Sequence, residues 1–156
     1  MILNMQKSVW TEMHKYGETS PGHEVVGALL GLKTDDKNSE CNEFISMTNV
    51  AGQNFEKKLI GTQNLKTEVH YVPDPNEFFQ VLKQTTLMNK GAKKDFIGIF
   101  HTHPNHIAQP SVTDIYGAGY AGFYPIFSLL EKKTNVFFYD GINRSFEPSQ
   151  INLIGD

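Results

Sequence analysis

Residues 95–114 read DFIGIFHTHPNHIAQPSVTD, and the reading of this stretch decides the fold. Its first six residues are a short apolar run, the pattern of a central buried strand, and they lead straight into His101. Side chains two apart on a strand share a face, so His101 and His103 point the same way. Pro104 cannot donate to a ladder, which sets both imidazoles at the edge or the mouth of a sheet. Ser111 then stands at the N-cap of a helical pattern, and Asp114 takes the acidic place of a capping box. Strand, turn and helix in this order suit a layered α/β domain.

Working outward, Ile2, Met5, Val9 and Met13 recur at helical intervals and predict an amphipathic helix over residues 2–16. HEVVGALLGLK (23–33) is apolar and punctuated by glycine, as in a buried strand, and NEFISMTNV (42–50) reads as its neighbour. VHYV (69–72) suggests a further short strand. PDPNEFFQVLKQTTLMNKG (73–91) is the clearest helix, with Pro75 near its start and Gly91 as its stop. A helix over SVTDIYGAGYAGF (111–123), strands at YPIFSLL (124–130) and NVFFYDG (135–141), and a last edge in SFEPSQINLI (145–154) complete the pattern. Elements alternate as in a mixed-sheet α/β domain spanning residues 1–156. The polar stretch AGQNFEKKLIGTQNLKT (51–67) is expected to be a functional loop.

Composition narrows the function. The chain has 156 residues, 39% hydrophobic and 20% charged, with net charge -3. No basic cluster offers a footprint for nucleic acid. Cys41 is the sole cysteine, which excludes a disulfide framework and a cysteine-based zinc site. The N-terminal residues contain no apolar run long enough for a signal peptide or membrane span, so a cytoplasmic protein is expected.

Two neutral imidazoles converging from one strand are a common way to hold zinc. An aspartate in the first turn of a helix feels the positive end of the dipole and favours its ionised, ligating form. The short turn from Pro104 to Pro110 can bring Asp114 round to face the histidines. Three such ligands leave a fourth position open for water, the pattern of a catalytic site. The water then needs a base, and Glu24 sits in an otherwise apolar strand, where a carboxylate is expensive unless paired or functional. Plainer readings stand beside these. Capping alone accounts for Ser111 and Asp114, a solvent-facing strand end accounts for Glu24, and an H-x-H pair can be structural.

The pattern H-T-H-P, six residues, S-x-x-D, with the upstream glutamate of PGHEVVGALLG, closely resembles the JAMM (MPN+) metalloproteases, in particular their compact prokaryotic members. The resemblance runs from about residue 5 to 155. It implies the MPN fold, a cytidine-deaminase-like curved mixed sheet flanked by helices. It implies one zinc held by His101, His103 and Asp114, with Glu24 as general acid and base and Ser111 supporting the oxyanion. The implied partner is a ubiquitin-like or sulfur-carrier protein, cut after its C-terminal diglycine. Processing of a sulfur-carrier C-terminus for cofactor or cysteine biosynthesis is the alternative, and a non-catalytic scaffold is a second. Such scaffolds lose one or more of the five residues, and all five are present here.

The 51–67 segment is expected to contact the substrate tail, since it takes roughly the place of the first insertion of eukaryotic deubiquitinases. Their second insertion is not expected here, since a helix and strands are expected to fill the residues that follow Asp114. His106 is expected on an exposed turn, His14, His23 and His70 at the surface or on helix faces, and Cys41 as a small buried or turn residue. Metallo-β-lactamase-like hydrolases also carry H-x-H, but Asn105 stands where they need aspartate, and their fold requires more chain.

Overall fold

The computed structural model describes residues 1–52 and 66–155. In chain order its elements are β1 (Ile2–Gln6), α1 (Lys7–Gly17), β2 (Val26–Lys33), β3 (Asn38–Met47), α2 (Pro75–Lys83), β4 (Asp95–His103), α3 (Val112–Gly117), β5 (Gly122–Ser128), β6 (Lys133–Tyr139), β7 (Phe146–Pro148) and β8 (Gln150–Ile154). All eight strands join one mixed sheet in the order β7-β6-β5-β4-β2-β3-β1-β8. β4 lies inside it, antiparallel to β2 and parallel to β5, so His101 and His103 sit at a mouth and not at an edge. Gly98 is required there, because a Cβ would collide with the Phe123 carbonyl of the parallel neighbour.

The sheet curls until its two edges meet. β7 pairs with β6 on one edge and β8 pairs with β1 on the other, yet Ser149 alone separates them. Ser149 N–H donates to the Val136 carbonyl and Gln150 N–H to that of Met1, which stitches the junction. One face of the sheet packs on α1 through Leu3, Met5, Val9, Met13, Phe44, Phe100 and Phe127. The other, beneath α2, gathers Ala28, Leu30, Val81, Leu82, Phe96, Ile99 and Tyr124. By strand alternation His101 and His103 continue the face of Ile99. No helix among the described residues is long and apolar enough to cross a membrane.

Four expectations need correction. Residues 2–6 form β1, and the helix starts only at Lys7. Leu3 and Met5 are buried by parallel pairing to both β3 and β8, partners that no local pattern announces. VHYV forms no strand. The chain there is held by an isolated Asn49–Pro73 bridge and by Val50 N–H donating to the Val72 carbonyl. The helix expected over 73–91 stops at Lys83, where the buried Thr85 turns its hydroxyl back onto the Leu82 carbonyl. Asp74 caps its start by accepting from the amides of Asn76 and Glu77. The helix expected over 111–123 is the short α3, because Ala118 goes extended and Gly117 and Gly119 do not sustain a helix.

Candidate metal centre

Three locally built features converge at the mouth of β4. The strand supplies His101 and His103 on one face. The turn after Pro104 brings the Ile107 carbonyl to 2.8 Å from His103 Nδ1. A proton on Nδ1 donated to that carbonyl leaves the Nε2 lone pair facing the site. α3 then presents Asp114 through a full capping box, in which Asp114 N–H donates to Ser111 Oγ and Ser111 N–H to Asp114 Oδ2. The predicted cap is therefore real, and it aims the carboxylate at the histidines.

Asp114 Oδ2 lies 3.2 Å from His101 Nε2 and 3.1 Å from His103 Nε2, and the two Nε2 atoms are 3.1 Å apart. Two imidazole nitrogens at that separation need a proton or a cation between them. Tetrahedral zinc with ligands at about 2.0–2.1 Å has ligand–ligand edges of about 3.3–3.4 Å, close to this triangle. Ligand atoms of Glu24, His101, His103 and Asp114 all lie within 4.8 Å of one another. All four residues are buried, with 4, 1, 1 and 5% of their surfaces exposed. The donor set fits a metal ion, and these residues can bind one.

Glu24 precedes β2 by two residues and does not stand within it. Its backbone is held from three sides. Glu24 N–H donates to the Thr67 carbonyl at 2.7 Å. Asn49 Nδ2 donates to the Glu24 carbonyl at 2.8 Å. The next residue, Val25, exchanges hydrogen bonds with Thr102, the residue between the two histidines. One side-chain oxygen is left unattached: Glu24 Oε1 is buried and has no hydrogen-bond partner among the described residues. A solvent-facing strand end is ruled out by this burial.

Electrostatics separate the two carboxylates. Burial pushes the Glu24 carboxyl up to about 8; His103 opposes this and Asp114 adds to it. Burial also acts upward on Asp114, but both histidines and the Ser111 amide outweigh it and hold the carboxyl well below the usual range. For His103, burial acts downward and is outweighed by Asp114 and the Ile107 carbonyl, so its pKa is raised. The same burial thus ends in opposite shifts for the two carboxyls, because only Asp114 has close donors to offset it.

Two residues of the site escaped the sequence reading. Tyr71 stacks on the His101 ring, centroids 4.3 Å apart and planes at 29°. Asn49 donates to the carbonyls of Glu24 and His70 and accepts from the amides of Ala51 and Val72, so one amide ties together two walls of the site. No motif marks either residue. The other histidines stay outside the cluster. His106 is exposed, its ring 5.3 Å from that of His103. His23 is exposed and His70 half-buried. His14 is half-buried on α1, with Nδ1 2.8 Å from the Trp10 carbonyl and Nε2 2.6 Å from Thr134 Oγ1. Cys41 is buried, and burial pushes its thiol up to about 12, the state of an inert cysteine. Of the 51–67 stretch, residues 53–65 lie outside the described residues; its far end supplies the Thr67 carbonyl that holds Glu24.

The sequence matches the family described as prokaryotic homologs of the JAB domain over residues 6–140, and the chain belongs to that family. Among solved structures, the solution structure of protein DSY2949 from Desulfitobacterium hafniense superposes with a TM-score of 0.74 at 22% identity, covering 99% of this chain and 94% of that one. A solution structure of a protein from Salinibacter ruber gives 0.59 at 20% identity, covering 98% and 91%. At such identities the likeness is one of fold. No curated protein matches the sequence.

Proposed function

We propose that the protein is a zinc-dependent metallopeptidase of the JAMM type, cutting the peptide or isopeptide bond after the C-terminal diglycine of a ubiquitin-like protein. One observation carries this reading: a buried carboxylate with a free oxygen, Glu24 Oε1, beside a two-histidine, one-aspartate cluster. Such a pairing has no use in a scaffold, where an unpartnered buried carboxylate only costs stability.

His101 Nε2, His103 Nε2 and Asp114 Oδ2 would hold the zinc. When bound, zinc supplies Lewis acidity, which polarises a carbonyl and makes water more acidic. Glu24 Oε1 takes a proton from the attacking water and later delivers it to the leaving amine. Ser111 Oγ accepts from Asp114 N–H and lies 3.0 Å from Thr113 Oγ1; with the Thr113 hydroxyl as donor in that pair, Ser111 keeps its own proton and can cap α3 and steady a developing oxyanion at once. Tyr71 and the Ile107 carbonyl fix the two rings.

The test is incubation of zinc-loaded protein with ubiquitin-like and sulfur-carrier proteins of the same genome, each fused or conjugated at the diglycine, followed by intact mass. Cleavage after the diglycine, lost in Glu24→Gln, is the expected result. Intact substrates throughout overturn the proposal. Release of a C-terminal extension from a sulfur carrier, with conjugates untouched, selects the processing alternative.

A further inference from the structure

Two cavities with different lining residues adjoin the cluster. The first, about 430 Å³, lies beside α3 and is lined by Tyr71, Phe78, Ile99, Tyr120 and Tyr124, with Asp114 also in its wall. The second, about 380 Å³, opens onto Glu24, Glu68, His103, His106 and Ser111. His70 and Thr113 line both, so the two adjoin across the site. Each volume is within the roughly 300–1,000 Å³ typical of ligand pockets.

We propose that the tyrosine-lined cavity is the acyl-side pocket and takes a bulky apolar side chain of the substrate just upstream of the diglycine. This rests on the peptidase reading above. Glu24 gives its proton to the leaving amine, and Glu24 opens on the second cavity, so the amine half belongs there. The carbonyl half then runs past Asp114 towards the apolar cavity. A diglycine has no side chain to fill 430 Å³. It passes the crowded metal centre without clash, and the preceding residue supplies the filling group. The rim is built for such a guest, since Tyr116 is 86% and Tyr120 39% exposed. Aromatic surface left open beside a reactive centre marks a binding site. The aromatic and aliphatic walls disfavour a charged side chain, which would lose its hydration there.

The proposal is tested with fluorogenic acetyl-X-Gly-Gly-aminocoumarin peptides on the zinc-loaded protein, X being Leu, Phe, Ala, Asp or Lys. Leu and Phe should exceed Ala and Asp in kcat/KM by about tenfold or more. Gly119 lines the cavity with open space around any added Cβ, as does Gly117. Gly119→Phe, with Gly117→Leu as the second variant, should bring Leu and Phe peptides down to the Ala level. Binding is read separately, without catalysis, by NMR titration of metal-free protein with acetyl-Phe-Gly-Gly and acetyl-Ala-Gly-Gly. Shifts at Tyr116 and Tyr120 for the Phe peptide, blocked by Gly119→Phe, support the pocket even if no peptide is cut, in which case the peptidase reading fails alone. Cleavage indifferent to X, or a preference for Lys or Asp, overturns the pocket and leaves the peptidase standing. Neither cleavage nor binding overturns both.

Discussion

The backbone amide of Ser111 donates at 2.9 Å to Oδ2 of Asp114, the same oxygen that stands 3.2 Å from His101 Nε2 and 3.1 Å from His103 Nε2. The helix cap and the ligand set thus share one atom, and Ser111 can be tested in both roles. Ser111→Ala should lower stability by about 1 kcal/mol through the lost cap. It should also cut kcat roughly a hundredfold with zinc retained. Ser111→Asp restores a capping oxygen but offers no proton and repels an oxyanion. It should be folded, zinc-loaded and nearly inactive. Full activity in Ser111→Asp would leave the residue its structural role only.

Asn49 touches no ligand, yet it ties the Glu24 carbonyl to that of His70. Removing it frees two walls of the site and leaves the histidine–aspartate triangle intact. Asn49→Ala should cost about 2 kcal/mol, since two carbonyls and two amides lose this partner. It should lower kcat more than tenfold while metal analysis shows unchanged zinc. Zinc loss in step with activity would mean that Asn49 supports the whole centre and not Glu24 alone.

Much of this was legible in the sequence because it is local. H-x-H on one strand face, the Pro104 stop and the Ser111–Asp114 box are spacing effects within twenty residues, and each stands where its pattern put it. Glu24 was legible as an expensive residue in an apolar run. What escaped is long-range. β1 is a strand because β3 and β8 flank it, and β7 and β8 part company because the sheet closes on itself. Asn49 and Tyr71 reach the site through contacts across 20 residues or more, which no period along the chain encodes.

The raised Glu24 pKa gives metal-free protein a pH signature. An unfolded chain titrates this residue near 4.5, whereas the folded one holds the proton up to about 8. The folded state binds more protons between those values, so stability falls as pH rises through that window. Below it the contribution is fully present, and above about 8 it is gone. His103, also raised, adds a slope of the same sign. Glu24→Gln should therefore flatten part of the decline in urea midpoints between pH 5 and 9, and it should be the more stable protein at the alkaline end. Parallel curves for the two proteins would mean that Glu24 is ionised in the folded state without metal.

Metal content gives the sharpest division of labour between the four buried side chains. The triangle of two Nε2 atoms and one Oδ2 has edges of 3.1–3.2 Å, so removing any corner leaves two ligands where about three are needed to hold zinc against water. His103→Ala, which also discards the Ile107 anchor, should lose nearly all of a stoichiometric zinc. Glu24→Gln should keep it: the amide fills the same space and still accepts a hydrogen bond, but it cannot take a proton. Zinc uptake by the wild type should also release protons, because His103 must be neutral to ligate. Titration calorimetry in buffers of different ionisation enthalpy reads that release directly, and elemental analysis reads the stoichiometry. His14→Ala and His70→Ala, altering residues outside the cluster, should match the wild type in both. Zinc retained by His103→Ala, or lost in either of those controls, would move the metal to a different set of ligands.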